Sequence, residues 1–287
     1  MSLRPALRVP PSQEHRGEHR TRRRRPPAGI PGCLAAGRRA DGRPARTSTG
    51  GTVSASPTPV TLITGGSTGI GAETVRRLLK AGHRVTATGR DADRLRAVAR
   101  ALGDPEELLL LPGDAADAGA VEEAVRATVQ RFGRLDNVIA NAGHSTHDSV
   151  ADGDPELMRS MLLTNVLGPT LLIRASLEEL RKSRGRIVLV GSVAGLKYSP
   201  GNFYSVTKWA VHALAENTRM LVTESGVGVS LIAPGKVDTP FWDTRGGTPP
   251  GPALSAENIA DGIMWVLGQP AGVDVNTVTI RPTGQAN

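Results

Sequence analysis

Val60-Thr61-Leu62-Ile63-Thr64-Gly65-Gly66-Ser67-Thr68-Gly69-Ile70-Gly71 decides the fold of this chain. Its first five residues are β-branched or apolar without alternation, the pattern of a strand buried on both faces. Gly65, Gly66, Gly69 and Gly71 follow, and a helical pattern then runs through Leu79. Glycine permits tight turning and positive φ, and its missing side chain lets backbone N–H groups approach a pyrophosphate. The start of a helix adds free donors and a favourable dipole. Glycines in isolation mark ordinary turns; between a strand and a helix they read as a phosphate cradle.

Working outward, further strands are expected at 83–88, 108–111, 137–140, 186–190, 228–232 and 275–280. Helices are expected at 91–102 (capped by Asp91), 118–132, 155–182, 205–224 and 256–267. The long helix is expected to break or bend near Gly168-Pro169. Strands alternating with helices imply an α/β fold, a doubly wound parallel sheet of Rossmann type with seven strands in a single domain, residues 57–287. Ligands of such folds lie at the carboxyl ends of the strands. The glycine turn, Asn141, Ser192 and the Pro234-Gly235 turn each follow an expected strand, so they share one rim.

The whole chain, 287 residues, carries a formal charge of +8. Residues 1–56 hold twelve arginines against three acids, a net +9, which leaves the rest at about −1. This segment is Arg/Pro-rich without apolar periodicity, and is expected to be a disordered tail or to lie upstream of a true start at Val53. No nucleic-acid partner is expected, although a basic tail is the feature that would attract one. No apolar run of signal-peptide length occurs in it, and no segment is expected to span a bilayer, so a cytoplasmic protein is the expectation. With Cys33 as the one cysteine, an internal disulfide is impossible. The six histidines show no metal-ligand spacing with carboxylates, so no metal is expected.

Tyr204 and Lys208 lie four residues apart on an expected helix and face one side. Free tyrosine, with a pKa of about 10, is a poor base at neutral pH, and a neighbouring ammonium favours the phenolate. Ser192, in Gly191-Ser192-Val193-Ala194-Gly195, follows a strand, and its hydroxyl can hold a substrate oxygen as charge develops.

TGxxxGIG at the first turn and YxxxK at Tyr204 resemble the short-chain dehydrogenase/reductase superfamily over residues 57–287. The resemblance implies hydride transfer between a nicotinamide cofactor and an alcohol or carbonyl. It implies that Ser192, Tyr204 and Lys208 are catalytic together with Asn165, in Thr164-Asn165-Val166-Leu167-Gly168, which supports a water through which Lys208 exchanges protons. It further implies cofactor contacts from Gly65, Ser67, Thr68, Gly69 and Ile70, and from Asp114-Ala115, where Asp114 accepts from the adenine amino group. Asn141-Ala142-Gly143 would border the adenine ribose, and Tyr204 and Lys208 would reach the nicotinamide ribose. In Pro234-Gly235-Lys236-Val237-Asp238-Thr239, the backbone near Val237 would meet the carboxamide and Thr239 the cofactor. Asp114 could equally be a turn residue before a helix, and Pro-Gly simply a turn. Ser192 precedes Tyr204 by twelve residues, where thirteen is commoner in the family.

The end of the second strand chooses between the two dinucleotides. An acid there would bond the ribose hydroxyls and repel a 2′-phosphate; this chain has Gly89 and then Arg90, a phosphate-binding pair of positions. NADP(H) is therefore the expected cofactor, with a solvated Arg90 the alternative. Residues 241–255, beginning Phe241-Trp242, are the expected mobile substrate loop. His144, His147, Lys197 and Tyr198 are either pocket-lining or solvated. The ending 275–285 resembles a branch acting on small hydroxy acids, serine-like compounds or aldehydes. The expected partners are a small carbonyl or alcohol substrate and further copies of the chain, as a homotetramer or homodimer. A catalytically silent dinucleotide-sensing protein is the competing reading.

Overall fold

The computed structural model describes residues 57–146 and 149–285. The expectations for residues 1–56 and for His147 lie outside them. Seven strands form one all-parallel sheet: β1 (Val60–Thr64), β2 (Arg84–Gly89), β3 (Leu108–Pro112), β4 (Asn137–Ala140), β5 (Arg186–Val190), β6 (Gly228–Pro234) and β7 (Thr277–Ile280), in the order β3-β2-β1-β4-β5-β6-β7. The expected strand count and doubly wound Rossmann architecture are both present. Every residue of β1 is buried, which is why its sequence does not alternate.

Helices α1 (Gly69–Lys80), α2 (Ala92–Ala101), α3 (Ala118–Phe132), α4 (Pro155–Leu162), α5 (Gly168–Ser183), α6 (Phe203–Val222) and α7 (Ala256–Leu267) cover the two faces. Side chains alternate across each strand. Leu62 thus joins Val138, Leu189 and Leu231 under α3, α5 and α6, whereas Ile63 joins Ile139, Val188 and Ile232 under α1 and α7. The strand order reverses between β1 and β4, whose pairing sets Ile63 beside Ile139. The glycine turn and Asn141 therefore emerge side by side at the switch point, where such sheets bind ligands.

Several boundaries move from their expected places. β6 continues to Pro234, and β7 begins at Thr277 rather than 275. α6 begins at Phe203, two residues early, because the Asn202 side chain caps it by accepting from Ser205 N–H at 3.0 Å. Asp91 caps α2 as expected, accepting from Asp93 and Arg94. The irregularity expected at Gly168-Pro169 is a π-helical turn one step earlier, Leu163–Leu167. The Gly168 N–H reaches back to the Leu163 carbonyl, and Pro169 has no N–H to offer the carbonyl of Asn165, four residues before it.

The expectation that no segment approaches the apolar length of a bilayer span is corrected for this same stretch. By length and composition, Pro155–Ser183 is apolar enough to cross a bilayer. In the fold it is a core helix run: Leu172, Ile173 and Leu180 are buried with β4 and β5. The surplus apolar character comes from Leu157, Leu162, Leu163 and Leu167, which face outward.

Candidate active site

The glycine turn is locked by its neighbour strand. Asn141 Nδ2 donates to the carbonyls of Thr64 and Gly65, both at 3.0 Å, and Thr64 Oγ1 accepts from the N–H groups of Asn141 and Ala142, both at 3.2 Å. Gly65 and Gly69 have φ of +68° and +52°. A Cβ on Gly71 would lie 2.0 Å from the Gly65 carbonyl oxygen, so glycine is required where α1 meets the turn. Thr239 packs on the turn from the far side of the switch point: its Cβ is 3.2 Å from where a Gly69 Cβ would be. Gly65, Ser67, Thr68, Gly69, Ile70, Asn141, Ala142 and Thr239 thus line one cradle, with its backbone left bare by the glycines. That shape fits a dinucleotide's pyrophosphate.

Around the cradle, Ser67 approaches Gly89, where a Cβ would sit 3.2 Å from Ser67 Oγ. Arg90, the next residue, is exposed and has no carboxylate partner among the described residues. Asp114 and Ala115 border a crevice with Thr64 and Thr88. One oxygen of Asp114 already accepts from Ala116 N–H at 2.9 Å, the turn role foreseen for it, and among the described residues the other carboxylate oxygen carries no such bond. Gly235 N–H is tied to Ile280, and the Val237 carbonyl accepts from Trp242 Nε1 at 2.8 Å. A carbonyl has a second lone pair, so that bond does not exhaust Val237.

The four candidate catalytic residues come from three elements. α6 carries Tyr204 and Lys208, with Lys208 Nζ 5.7 Å from the centre of the Tyr204 ring. Lys208 is 6% exposed, and its Nζ donates to the Val190 carbonyl at 2.9 Å. Burial pushes this lysine down to about 8. Ser192, at the exit of β5, accepts from Ala194 N–H at 3.1 Å, which leaves its own hydroxyl hydrogen to donate. Asn165 sits within the π-helical turn, 2% exposed. Its Oδ1 accepts from His144 N–H at 3.0 Å, and its Nδ2 donates to the His144 carbonyl at 2.9 Å and to Thr207 Oγ1 at 3.1 Å. The side chain ties the loop after β4 to α6, beside Gly143, whose added Cβ would lie 3.7 Å from Lys208 Nζ. Pro169, four residues on, has no N–H to offer the Asn165 backbone carbonyl.

The family model of the short chain dehydrogenases matches residues 59–248. This chain belongs to that family. Uncharacterized oxidoreductases of Staphylococcus epidermidis and Staphylococcus saprophyticus are each 34% identical to it, over 78% of this chain and 96% and 97% of theirs. Among solved structures, an alcohol dehydrogenase from the archaeon Thermococcus sibiricus, complexed with 5-hydroxy-NADP, is 29% identical with a TM-score of 0.73, covering 80% of this chain and 99% of that one. Serine dehydrogenase from Escherichia coli is 29% identical with a TM-score of 0.70, over 79% of this chain and all of that one. A closed form of serine dehydrogenase with NADP+ superposes with a TM-score of 0.74, also at 29% identity.

This short-chain dehydrogenase carries features around its site that its motifs did not announce. Phe241 lies 5.7 Å from Tyr204, centre to centre, and Trp242 meets Phe241 edge-on at 5.3 Å. The loop after β6 therefore puts an apolar wall against Tyr204. Lys236 Nζ donates to the carbonyls of Pro249, Pro250 and Gly251 at 2.9, 2.7 and 2.8 Å, tying the far arm of that loop down. Of the residues left open as lining or solvated, Tyr198 is 90% exposed and stacks on Trp209. Lys197 contributes its carbonyl to Ser205 and Trp209, and His144 is half-buried with Nε2 near Ser160. Among the described residues no group of three or more His, Cys, Asp or Glu could hold a metal.

Proposed function

We propose that this protein is an NADP(H)-dependent oxidoreductase that interconverts an alcohol and a carbonyl, with Tyr204 as general acid and base. One observation carries the reading: Lys208, a buried lysine without a carboxylate partner among the described residues, lies one helical turn from a tyrosine at the carboxyl rim of a dinucleotide-type sheet. A fold that only needed stability would place an apolar side chain there, because an unpaired buried cation is costly.

The residues divide the work as follows. Gly65, Ser67, Thr68, Gly69, Ile70 and Thr239 hold the pyrophosphate end of the dinucleotide. Asp114, Ala115, Asn141, Ala142 and Gly143 border its adenosine half, and Pro234, Gly235 and Val237 its nicotinamide end. Ser67 and Arg90 bring a hydroxyl and a cation to the region of the adenine ribose, and Gly89 puts no carboxylate at the end of β2, which favours a 2′-phosphate. When bound, the dinucleotide supplies or accepts the hydride. Ser192 donates its hydroxyl hydrogen to the substrate oxygen, and Tyr204 gives that oxygen a proton in reduction or removes one in oxidation. Lys208 is a cation beside the phenol and favours the phenolate. The Val190 carbonyl holds the Lys208 ammonium in place, and a water supported by Asn165 would carry protons between Lys208 and solvent.

The alcohol dehydrogenase and serine dehydrogenase among its structural relatives support chemistry at a CH–OH group. The Phe241 wall suits a substrate with an apolar group beside its carbonyl. A dimer or tetramer with α6 in the interface is part of the proposal. Val206, Trp209, Met220 and Leu221 on α6 are exposed, as are Leu162, Leu163 and Leu167 before α5.

The test is a panel of ketones and aldehydes with NADPH, followed by absorbance, with Tyr204→Phe as control. Turnover with at least one carbonyl is expected, falling by about 100-fold or more in Tyr204→Phe while NADPH still binds. NADPH binding without turnover on any carbonyl or alcohol would instead favour the dinucleotide-sensing alternative.

A further inference from the structure

Tyr204, Lys208 and His212 recur every four residues on α6 and so share one face. The proposed chemistry uses the first two. His212 is half-buried, with Nε2 3.2 Å from the backbone carbonyl oxygen of Ser192. A carbonyl can only accept, so that bond requires the hydrogen on Nε2.

The ring is fitted into the loop that carries Ser192. A Cβ on Gly191 would lie 2.9 Å from His212 Nε2, and one on Gly195 would lie 2.8 Å from both Nε2 and Cδ2. Glycine on either side of Ser192 therefore leaves room for the imidazole, and also for the Leu231 side chain at Gly191 and the Lys208 carbonyl at Gly195. Trp209 flanks the ring at 6.5 Å, centre to centre. One turn earlier, Lys208 holds the Val190 carbonyl. α6 thus grips the exit of β5 at two carbonyls, two residues apart, through side chains four residues apart. On its other side Ser192 is held through Oγ by Ala194 N–H. Burial lowers the His212 pKa, the bond to Ser192 raises it, and the Lys208 charge lowers it. The ring is therefore neutral near pH 7, and a single tautomer must be selected.

Resting on the function proposed above, we propose that His212 is a positioning residue. Its Nε2–H, given to the Ser192 carbonyl, fixes the Ser192 hydroxyl relative to the phenol of Tyr204. One helix then sets both groups that meet the substrate oxygen, and the short twelve-residue connection between Ser192 and Tyr204 need not do so. Hydrogen bonds to a reacting oxygen lose their value steeply with misplacement, so an anchor behind the serine matters to turnover rather than to cofactor binding.

Three readouts test this on the full chain. In protein labelled with ¹⁵N-histidine, the resonance that disappears in His212→Leu should be that of an Nε2-protonated neutral ring; an Nδ1-protonated ring would overturn the proposal. Against the best carbonyl found with NADPH, His212→Leu should lower kcat by about tenfold, with the NADPH dissociation constant within about twofold of wild type. His212→Gln, whose amide can donate from nearly the same place, should recover most of that loss. Wild-type kcat in His212→Leu, or an equal loss in both variants, would overturn it.

The third readout is a double-mutant cycle with Ser192→Ala. If His212 acts through Ser192, His212→Leu costs little more once Ser192 is gone; full additivity would show a merely structural role and overturn the proposal. Tyr204→Phe in the same assay separates the two readings. Full activity in that variant would sink the proton-transfer assignment, while the tautomer and the cycle still decide for or against His212.

Discussion

Lys208 Nζ lies 2.9 Å from the carbonyl oxygen of Val190, the last residue of β5, and the lysine itself is buried. The bond satisfies one of the ammonium's three hydrogens and neutralises none of its charge.

That arrangement has a thermodynamic signature. The folded pKa of Lys208 is about 8 against an ordinary 10.5, because burial disfavours the charged form. Between those values the unfolded chain holds more protons than the folded one, so this group makes stability rise with pH. Its cost is fully present below about pH 8 and is relieved as the pH climbs toward 10.5. Lys208→Met should therefore be more stable than wild type by about 2 kcal/mol at pH 7, allowing about 1 kcal/mol for the lost bond to Val190. The advantage should shrink above pH 8, while turnover falls sharply. Urea unfolding across pH 6–10 checks this; an advantage that does not change with pH would mean the buried charge is not its source.

The phosphate turn makes a steric prediction. Gly71→Ala would put a Cβ 2.0 Å from the Gly65 carbonyl oxygen and 2.6 Å from Asn141 Nδ2. The colliding atoms are backbone and an engaged amide, so the turn itself must open. A loss of more than about 3 kcal/mol of stability is expected, with loss of dinucleotide binding. Gly82→Ala is the contrast: nothing lies within 4 Å, and only its φ of +81° opposes the change. It should cost about 1 kcal/mol and leave binding alone. Equal effects of the two would refute the packing argument.

Much of this site was legible from local spacing. Tyr204 and Lys208 share a helix face by count alone, and the glycine turn announces itself between a strand and a helix. What lay hidden depends on contacts between distant segments. That Lys208 is buried and bonded to Val190, or that His212 fills the gap between Gly191 and Gly195, follows only once α6 lies across the exit of β5. Gly168-Pro169 pointed to a broken helix; that the break is a π-helical turn centred on Asn165 depends on how the helix accommodates a proline without unpacking Leu172. The apolar reading of 155–183 missed a span-like run because outward-facing leucines add to it as readily as core ones.

Cofactor choice is testable at β2. Arg90→Ala should weaken NADPH binding by about tenfold and leave NADH unchanged, since only the 2′-phosphate needs the guanidinium. Gly89→Asp would bring a carboxylate beside Ser67 and should lower the NADPH-to-NADH preference by about 100-fold. Titration of protein fluorescence with each dinucleotide measures both. Equal weakening of both cofactors by Arg90→Ala would exclude a contact specific to the 2′-phosphate.

Lys236 makes the last prediction. Its ammonium is shared among the carbonyls of Pro249, Pro250 and Gly251, while its own backbone groups pair with Leu254 and Gln285. The loop after β6 is thus a closed strap, fastened at its far end by the Lys236 side chain and by the Thr248 hydroxyl on Asp238, and carrying Phe241 to Tyr204 at its near end. Three charge-assisted bonds to adjacent carbonyls have no replacement when the charge is removed. Lys236→Met should free residues 246–251 for cleavage by a non-specific protease, and should raise KM for the carbonyl by about threefold to tenfold with kcat little changed. Lys236→Arg, which keeps the charge and the donors, should behave much more like wild type. Unaltered protease resistance in Lys236→Met would show that the strap is held by the backbone pairing of Lys236, Asp238 and Leu254 and by the Thr248–Asp238 bond, and that the Lys236 side chain only decorates it.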